Sequence, residues 1–292
     1  MKLLIGSLRL LSKLPLGVLY LVSDMLFPLI YSVARYRRKV VRKNLVGSFP
    51  DKSLSEIRKI ERKFYRYFCD IMMETVRQLS ITEPEMRRRM VFTNEEVMME
   101  QLRKGRSALL MTGHYCNWEW GLSISYYTPE GTAVYPVYQR LNNPDFNRYM
   151  LQIREHLGGY CVEKEELVRR MYRMRNEGVI GIFGMISDQS PMKKFIRYRM
   201  NFLHQDTPVF LGTEQLARKY NYPVFYLDIE RRKRGYYECK VVPVSLEPST
   251  TSEHEITNRF MSMLETSIRR QPEFWLWTHN RWKHSNSTAT HS

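Results

Sequence analysis

The chain has 292 residues, of which 43% are hydrophobic, and its formal net charge is +16. This length and apolar content predict a globular protein with a sizeable core, in one large domain or two small ones. The excess of Lys and Arg predicts an anionic partner, either nucleic acid, an anionic membrane surface or an acidic protein, unless these residues only face solvent. The cysteines are far apart and include no Cys-x-x-Cys, which argues against a zinc site and a disulfide framework and favours a reducing compartment: Cys69, Cys116, Cys161 and Cys239.

An apolar stretch covers residues 14–34 and contains one charge, Asp24. About 20 apolar residues span a bilayer, so the stretch predicts an anchor that crosses the membrane or lies in its interface. A cleaved signal peptide and a buried core helix are the alternatives. A basic cluster follows, of the kind that stays cytoplasmic and binds anionic headgroups: Arg35, Arg37, Arg38, Lys39, Arg42 and Lys43. We therefore expect residues 1–50 to form a helical membrane-anchoring segment, with the domain that follows on the cytoplasmic side.

Ser53 and Glu56 form a capping box, which predicts a helix that runs to about Leu79. Its apolar residues recur at helical spacing and are expected in the core: Ile57, Ile60, Phe64, Phe68, Ile71 and Met72. The basic residues off this stripe could face lipid headgroups or water.

His114 occupies a turn between a predicted buried strand, residues 107–111, and a predicted helix that starts at Trp120. Glu119 follows five residues later, a separation of about 140° on a continuous helix, so the two side chains meet only if His114 precedes the helix. We expect Asn117 to be the N-cap and Gly113 to supply backbone freedom. In this arrangement Glu119 would fix the tautomer of His114 and leave the other ring nitrogen to accept a proton from a hydroxyl.

Other readings of this stretch remain open. Cys116 could pair with His114 as a nucleophile, although a separation of two residues along a turn is poor spacing for that contact. His114, Glu119 and Asp188 could bind a metal, although nothing in their spacing demands one. His114 could also be a simple cap, with Glu119 in solvent.

The rest of the chain alternates strands with helices, which predicts an α/β protein with a central, largely parallel or mixed sheet. Strands are predicted at 132–138, 179–186, 223–229 and 236–242, and helices at 94–104, 144–157, 165–177, from Thr207-Pro208 onward, and from Ser252 or Glu253 to Arg270. Asp188 directly follows a wholly apolar strand, at the edge where open α/β sheets place ligands, although Asp is also a common turn former.

Two further segments combine basic and aromatic residues. Residues 193–200 are predicted to be a mobile loop near a bound substrate or at the membrane. Residues 272–283 contain three Trp, a pattern typical of a headgroup or nucleic-acid surface, with a buried structural segment as the alternative. The polar tail, residues 285–292, is predicted to be disordered.

The stretch from His114 to Glu119 resembles the His-x4-Asp/Glu motif of the lysophospholipid (glycerolipid) acyltransferase-like superfamily. Its ending, Asn117-Trp118-Glu119, is similar to the branch that adds late, secondary acyl chains to lipid A. The resemblance covers most of the chain and includes residues 37–50, 138–144, 187–191, 210–212 and 277–283. Each segment alone is weak, but their order and spacing make the resemblance fairly specific.

The resemblance implies a sandwich of a twisted mixed sheet and helices, with a hydrophobic helical N-terminal membrane segment and an acyltransferase domain at residues 51–284. It implies transfer of a fatty acyl chain from acyl carrier protein to a hydroxyl of a lipid A precursor at the inner membrane, without a cofactor or a metal. His114 would be the general base and Glu119 its partner. The expected substrate-binding residues are Asn117, Trp118, Arg140, Arg154, Asp188, Gln189, Gly212 and Glu214.

The chain departs from the family pattern at one place. Gln139 stands where enterobacterial members carry Arg, and Arg140 comes one position later, which leaves the acceptor contact open. A glycerophospholipid or amino-acid lipid is the alternative acceptor, and a basic, membrane-anchored polyanion-binding protein without catalysis is the alternative from another class. Our preferred interpretation includes an anionic membrane surface as partner and excludes nucleic acid.

Overall fold

The structure is a computed structural model that describes residues 1–284. Ten α-helices occur in that range: α1 (Lys2–Ser12), α2 (Leu16–Pro28), α3 (Arg38–Ser48), α4 (Leu54–Gln78), α5 (Glu83–Arg89), α6 (Glu96–Arg103), α7 (Pro144–Glu155), α8 (Leu167–Asn176), α9 (Gly212–Tyr220) and α10 (Glu255–Arg270). The nine strands of the same residues are β1 (Met90–Thr93), β2 (Ala108–Thr112), β3 (Ala133–Tyr138), β4 (Val162–Glu163), β5 (Gly181–Ile186), β6 (Arg199–Phe202), β7 (Gln205–Pro208), β8 (Val224–Lys233) and β9 (Tyr236–Ser245). The predicted tail, 285–292, lies outside the described residues.

Seven strands form one mixed sheet in the order β1-β9-β8-β2-β5-β3-β4. Only β8 and β9, which form a hairpin, are antiparallel within that order; their neighbours pair in parallel. All five residues of β2 are buried, as expected for an apolar central strand covered on both faces. The predicted α/β class with a mixed sheet between helices is confirmed.

The N-terminal helices pack against α4 and share its core. The capping box at the start of α4 is confirmed, since Glu56 donates its backbone N–H to the Ser53 hydroxyl and accepts from the Ser53 backbone. Leu16 and Leu19 of α2, together with Val41 and Leu45 of α3, belong to the same hydrophobic cluster as the sheet. Residues 1–50 therefore share one hydrophobic core with the rest of the protein. Their membrane role stays a prediction.

Helix α2 continues into a short π-helix, Leu29–Val33. The combined segment Leu16–Val33 is long and apolar enough to cross a membrane, and only 17% of it is buried in the protein. Its exposed apolar side chains recur every three or four residues and so form one stripe: Val18, Leu21, Met25, Leu29 and Val33.

The expectation that Thr207-Pro208 starts a helix is wrong. Both residues lie in β7, which pairs with β6, and the next helix begins at Gly212. The Thr207 hydroxyl accepts a hydrogen bond from the Trp282 indole at 2.7 Å and donates one to the Gln205 carbonyl at 2.8 Å. Its hydroxyl therefore serves a tertiary contact and is not used as a cap.

The prediction of an aromatic headgroup surface near the C-terminus is also wrong for Trp275 and Trp282, whereas Trp277 has the buried structural role that was the favoured interpretation for it. Trp275, Trp277 and Trp282 are at most 4% exposed, and Trp275 packs edge-on against each of the other two. The structural alternative holds, because stacking these rings on one another buries more apolar area than a water-facing arrangement would.

Candidate active site

Strand register brings His114 and Asp188 together. Thr112 at the end of β2 pairs with Ile186 at the end of the parallel neighbour β5. His114 and Asp188 each follow two residues later, so both emerge at the same carboxyl edge of the sheet. The imidazole Nδ1 lies 2.7 Å from Asp188 Oδ1, and the His114 backbone N–H donates to Oδ2 at 2.7 Å. Ring and backbone of His114 are therefore held by one carboxylate.

The carboxylate that orients His114 is Asp188, which corrects the assignment of that role to Glu119. Glu119 lies at the start of a 3₁₀ helix, Trp120–Tyr127, and its carboxylate forms a bidentate ion pair with Arg154 of α7 at 2.7 and 3.0 Å. The turn between His114 and Glu119 does not place the Glu119 carboxylate at Nδ1. The parallel pairing of β2 with β5 places the Asp188 carboxylate there.

The Glu119–Arg154 pair is largely withdrawn from solvent, with side-chain exposures of 7% and 21%. Burial raises the pKa of Glu119, but the charge and hydrogen bonds of Arg154 outweigh burial and hold that pKa below its ordinary value. The charge of Glu119 in turn raises the pKa of Arg154. Arg154, expected to contact substrate, thus commits Nε and one N–H of Nη2 to Glu119 and retains Nη1 and the second Nη2 N–H for other partners.

Asp188 is 2% exposed and is kept ionised by its donors. Burial raises its pKa, but the His114 charge, the His114 hydrogen bonds and the Trp275 indole, which donates to Oδ2 at 2.8 Å, bring that pKa down to about 2. A carboxylate that accepts several hydrogen bonds remains negative near neutral pH. Asp188 can therefore stabilise a positive charge on the imidazole.

The second ring nitrogen of His114 is not bound by Asp188. Because Asp188 accepts from Nδ1, Nδ1 carries the proton in the neutral ring and Nε2 has a free lone pair. The amide nitrogen of Gln189 lies 3.2 Å from Nε2 and 3.4 Å from Nδ1, so it lies over the face of the ring and not along the in-plane lone pair of Nε2. Gln189 therefore does not occupy the direction from which a hydroxyl would approach Nε2.

These groups border a small cleft of about 150 Å³ of empty space, which we call the cleft; it is lined by His114, Asp188, Gln189, Trp275, Leu276 and His279. The Ser190 backbone N–H donates to the His279 ring at 3.3 Å, so that ring nitrogen is unprotonated. Burial lowers the pKa of His279 to about 4, with Asp188 opposing the shift and Arg281 adding to it. The cleft therefore holds a second imidazole that stays neutral near neutral pH.

The His279 pKa predicts a pH-dependent stability. Between about pH 4 and the ordinary value of 6.5, unfolded His279 binds a proton that the folded ring does not, so the free energy of unfolding should rise with pH across that window. We expect the variant His279→Gln to show a shallower rise than the wild type. Urea unfolding at several pH values across the window measures both slopes, and equal slopes would contradict the prediction.

Arg281 places a buried positive charge behind the cleft. Its side chain is 1% exposed, and none of its three guanidinium nitrogens finds a hydrogen-bond partner among residues 1–284. Burial lowers its pKa to about 10, and the charge of Asp188 opposes the shift. Arg281 thus remains a cation near neutral pH and balances the negative charge of Asp188.

An apolar groove adjoins the cleft and shares Trp275 and Leu276 with it. We call it the groove; it holds about 170 Å³ of empty space and is lined by Phe64, Tyr67, Phe68, Ile71, Trp118, Phe274, Trp275 and Leu276. Trp118 joins the two, because its ring packs edge-on against His114 with the centroids 5.1 Å apart. The groove is thus an apolar surface that reaches His114.

Several residues expected to bind substrate have other partners. Asn117 is fully buried and leaves no surface for substrate; its Oδ1 accepts from the Trp120 backbone N–H, although the N-cap residue of the 3₁₀ helix is Glu119 and not Asn117 as predicted. Glu214 is 3% exposed and binds the backbone and hydroxyl of Thr257 in the first turn of α10. Arg140 is 68% exposed and 4.0 Å from Glu163. These contacts indicate structural roles for Asn117 and Glu214, and neither they nor Arg140 line the cleft.

Gly212 and Gly113 differ in what their small size provides. Gly212 begins α9, and a Cβ there would meet open space, so its substrate role stays a prediction. A Cβ on Gly113 would come within 2.8 Å of Leu264 and 3.2 Å of Asp188 Oδ2. The positive φ of this turn belongs instead to Cys116, at 49°. Gly113 is therefore required for close packing beside Asp188, which corrects the prediction of backbone freedom.

The nucleophilic reading of Cys116 is not supported by its surroundings. Cys116 is fully buried, its backbone N–H donates to the Phe274 carbonyl, and burial raises the pKa of its thiol well above the ordinary value. A thiol protonated in this way is inert. As for metal binding, no group of three or more His, Cys, Asp or Glu side chains within residues 1–284 is arranged to hold an ion.

Sequence reasoning did not assign Trp275, Leu276, His279 and Arg281 to the site. The sequence feature that could have located them is the concentration of Trp, His and Arg in residues 275–283, which we interpreted as a headgroup surface. The isolated pairing of Tyr115 with Trp275, and the bond from the Leu276 N–H to the His114 carbonyl at 3.0 Å, align this segment with the turn. The C-terminal segment therefore forms one wall of the cleft.

A histidine held by a buried carboxylate beside an apolar groove is an arrangement suited to acyl transfer, and comparison with known proteins identifies the chain as an acyltransferase. The model of the family described as bacterial lipid A biosynthesis acyltransferase matches residues 1–284, and the chain belongs to this family. It is 24% identical over 290 positions to the lipid A biosynthesis lauroyltransferase of Escherichia coli (strain K12), covering 94% of this chain and 91% of that protein.

Proposed function

We propose that this protein transfers a fatty acyl chain from acyl carrier protein to a hydroxyl of a lipid A precursor at the cytoplasmic face of the inner membrane. The family supports a lipid A-type acceptor. The observation that carries the mechanism is the 2.7 Å contact between His114 Nδ1 and Asp188, which leaves Nε2 as a base beside the cleft. His114 is the general base, and Asp188 orients it and stabilises the imidazolium that forms.

The proton and bond changes follow from this arrangement. The acceptor hydroxyl gives its proton to His114 Nε2 while its oxygen attacks the thioester carbonyl carbon. The tetrahedral intermediate then breaks its C–S bond, and the thiol of the carrier leaves with the proton returned by the imidazolium. The oxyanion of the intermediate needs donors, and Nη1 of Arg154 or backbone N–H groups near Asn117 are our candidates. Glu119 serves this step by holding Arg154.

The groove supports the placement of the acyl chain. Its side chains are apolar, and its shared wall with the cleft would bring the thioester end of a chain to His114. Burying methylene groups there gains about 0.8 kcal/mol for each. The net charge of +16 supports an acidic donor protein and a phosphorylated acceptor, because both carry the opposite sign.

The stripe on α2 supports membrane contact in the plane of the interface. The stripe continues from α2 into the π-helix and its residues are exposed, while Leu16, Leu19 and Ser23 of α2 are buried. Arg62 and Arg66 of α4 lie over the Phe27 ring, with 6.0 and 5.2 Å to its centroid. Cations that flank an apolar stripe are suited to an anionic leaflet. We therefore place α2 along the membrane surface, docked on the protein.

The test is transfer of labelled acyl chains from acyl carrier protein to a lipid A precursor in detergent, compared with the same chains on coenzyme A. We expect the wild type to transfer from the carrier protein and His114→Ala to lose at least about 1,000-fold in kcat, the scale seen when a catalytic base is removed. His284→Ala, which alters a histidine that does not line the cleft, should retain the wild-type rate.

The outcomes separate the parts of the proposal. Equal rates for wild type and His114→Ala would reject His114 as the base while leaving the enzyme class intact. Transfer from coenzyme A at the same kcat/KM would reject the preference for the carrier protein. Transfer only to a glycerophospholipid or amino-acid lipid would reject the proposed acceptor.

A further inference from the structure

Polar contacts tie the apolar helix α2 to α4. The Tyr20 hydroxyl donates to Glu74 Oε1 at 2.7 Å, and the Ser23 hydroxyl donates to Asp70 Oδ1 at 2.7 Å. Arg234, in the turn of the β8–β9 hairpin, bridges Asp24 at 2.7 Å and Asp70 at 2.6 Å. The inner face of α2 is therefore bound at several defined points, and these include the one charge within the apolar stretch.

Glu74 joins this attachment to the active-site turn, residues 113–119. It is fully buried, and besides Tyr20 its carboxylate accepts hydrogen bonds from Asn117 Nδ2 at 2.6 Å and from the Tyr237 hydroxyl at 2.8 Å. Asn117 in turn accepts from the Trp120 backbone N–H at 3.0 Å through its Oδ1. The side-chain amide of Asn117 is thus fixed at both ends, by α4 on one side and by the 3₁₀ helix on the other.

This chain of contacts ends where the chemistry is placed. Trp118 and Glu119 lie between Asn117 and Trp120. Fixing Asn117 and Trp120 therefore sets the backbone path of Trp118, which lines the groove, and of Glu119, which pairs with Arg154. Glu74 itself lines neither the cleft nor the groove. A buried carboxylate with three donors from three separate segments is costly unless all of them are in place.

We propose that Glu74 is a positioning residue that couples the seating of the N-terminal helix α2 to the geometry of the active-site turn. When α2 is docked, Tyr20 completes the set of donors around Glu74, and Glu74 holds Asn117. When α2 is displaced, Glu74 loses one donor and the turn loses part of its support. The inference rests on the proposed function for its catalytic readout, but its structural core does not depend on the acceptor.

The substitution Glu74→Met removes both acceptor oxygens. The Asn117 amide nitrogen only donates, and its oxygen is already used by Trp120, so Asn117 cannot turn over to suit a new partner without losing that bond. A Gln side chain would be a weaker test, because its oxygen could accept from Asn117 and Tyr237 while its amide nitrogen donates to the Tyr20 hydroxyl. Glu74→Met therefore removes these hydrogen bonds with a side chain of similar length.

The experiment compares Glu74→Met and Tyr20→Phe with the matched control Tyr65→Phe. The Tyr65 hydroxyl also joins α4 to the N-terminal segment, by donating to the Tyr36 carbonyl at 2.5 Å, but it does not contact Glu74. Two readouts are taken on the full chain in detergent: kcat and KM for acyl transfer, and deuterium uptake by residues 113–124. The second does not require that the acceptor be identified.

We expect Glu74→Met to lower kcat about 30-fold and Tyr20→Phe about threefold, with KM changed less than about twofold, because a misplaced turn weakens the transition state more than substrate binding. Deuterium uptake by residues 113–124 should rise in both variants and remain at the wild-type level in Tyr65→Phe. Increased uptake supports the coupling even if the wild type transfers to none of the acceptors, an outcome that rejects only the proposed function. Unchanged uptake in Glu74→Met, or an equal rise in Tyr65→Phe, overturns the coupling.

Discussion

Replacing Asp188 with Asn should lower kcat for acyl transfer by about 1,000-fold or more while the protein stays folded. The Asn amide can donate to Nδ1, and His114 then carries its proton on Nε2, where it cannot accept one from the hydroxyl. In the serine-protease triad the same substitution costs about 10⁴-fold through the wrong tautomer. Because the pKa of Asp188 is about 2, the folded protein also gains stability from the ionised carboxylate above its unfolded pKa, and loses that gain as the pH falls towards 2.

The measurement is steady-state transfer by Asp188→Asn beside Asp228→Asn. Asp228, on strand β8, is a matched control. Its carboxylate accepts hydrogen bonds from Ser267 and Arg270 of α10 and does not line the cleft. The control should retain activity within about threefold of the wild type, as expected for a substitution away from the reacting groups. A kcat for Asp188→Asn within tenfold of the wild type would show that the orientation of His114 does not depend on this carboxylate.

The second large effect is expected at the Glu119–Arg154 pair. Glu119→Ala should lower the free energy of unfolding by about 3–5 kcal/mol, because it leaves a buried guanidinium without its partner. The double variant Glu119→Ala with Arg154→Met should recover most of that loss, since the unpaired charge is gone. Its activity should remain low, because the cation proposed for the oxyanion is also gone.

Denaturant unfolding and kcat of the two single variants and the double variant form a double-mutant cycle that measures the coupling of the pair. Glu96→Ala is the control, because Glu96 pairs with Arg103 at 2.6 Å but both side chains are more than half exposed. An exposed pair contributes little to stability. Recovery of activity in the double variant would mean that Arg154 plays no part in catalysis and that only its unpaired charge is harmful.

Much of the site could be located from the sequence, because its position depends on local patterns. An apolar strand followed by Gly113 and His114 indicates the edge of a sheet, and Asp188 follows a second apolar strand in the same way. Both were identified as candidates. The partner of His114 was assigned wrongly, since the short separation to Glu119 favoured a local contact. Whether two strands are neighbours and in which register they pair cannot be read from either strand alone.

The role of the C-terminal segment was also beyond the sequence. A cluster of Trp and basic residues has the composition of an interface, and the same residues can stack into a core when other segments cover them. Trp275 shows why: its ring is buried by Trp277 and Trp282, and its N–H then binds Asp188. Burial of this kind depends on contacts between segments that are far apart along the chain.

The sequence by itself determined the α/β class, the capped helix α4, the apolar stretch that contains α2, and the identity of His114 and Asp188 as residues at strand ends. These features follow from periodicity, capping and turn chemistry, which act over a few residues. Only the tertiary structure decided that Asp188 holds His114, that Glu119 holds Arg154, and that Glu74 joins α2 to the turn. Each of these contacts is set by strand register or helix packing between distant segments, and it is stable because burial makes an unpaired carboxylate or guanidinium costly.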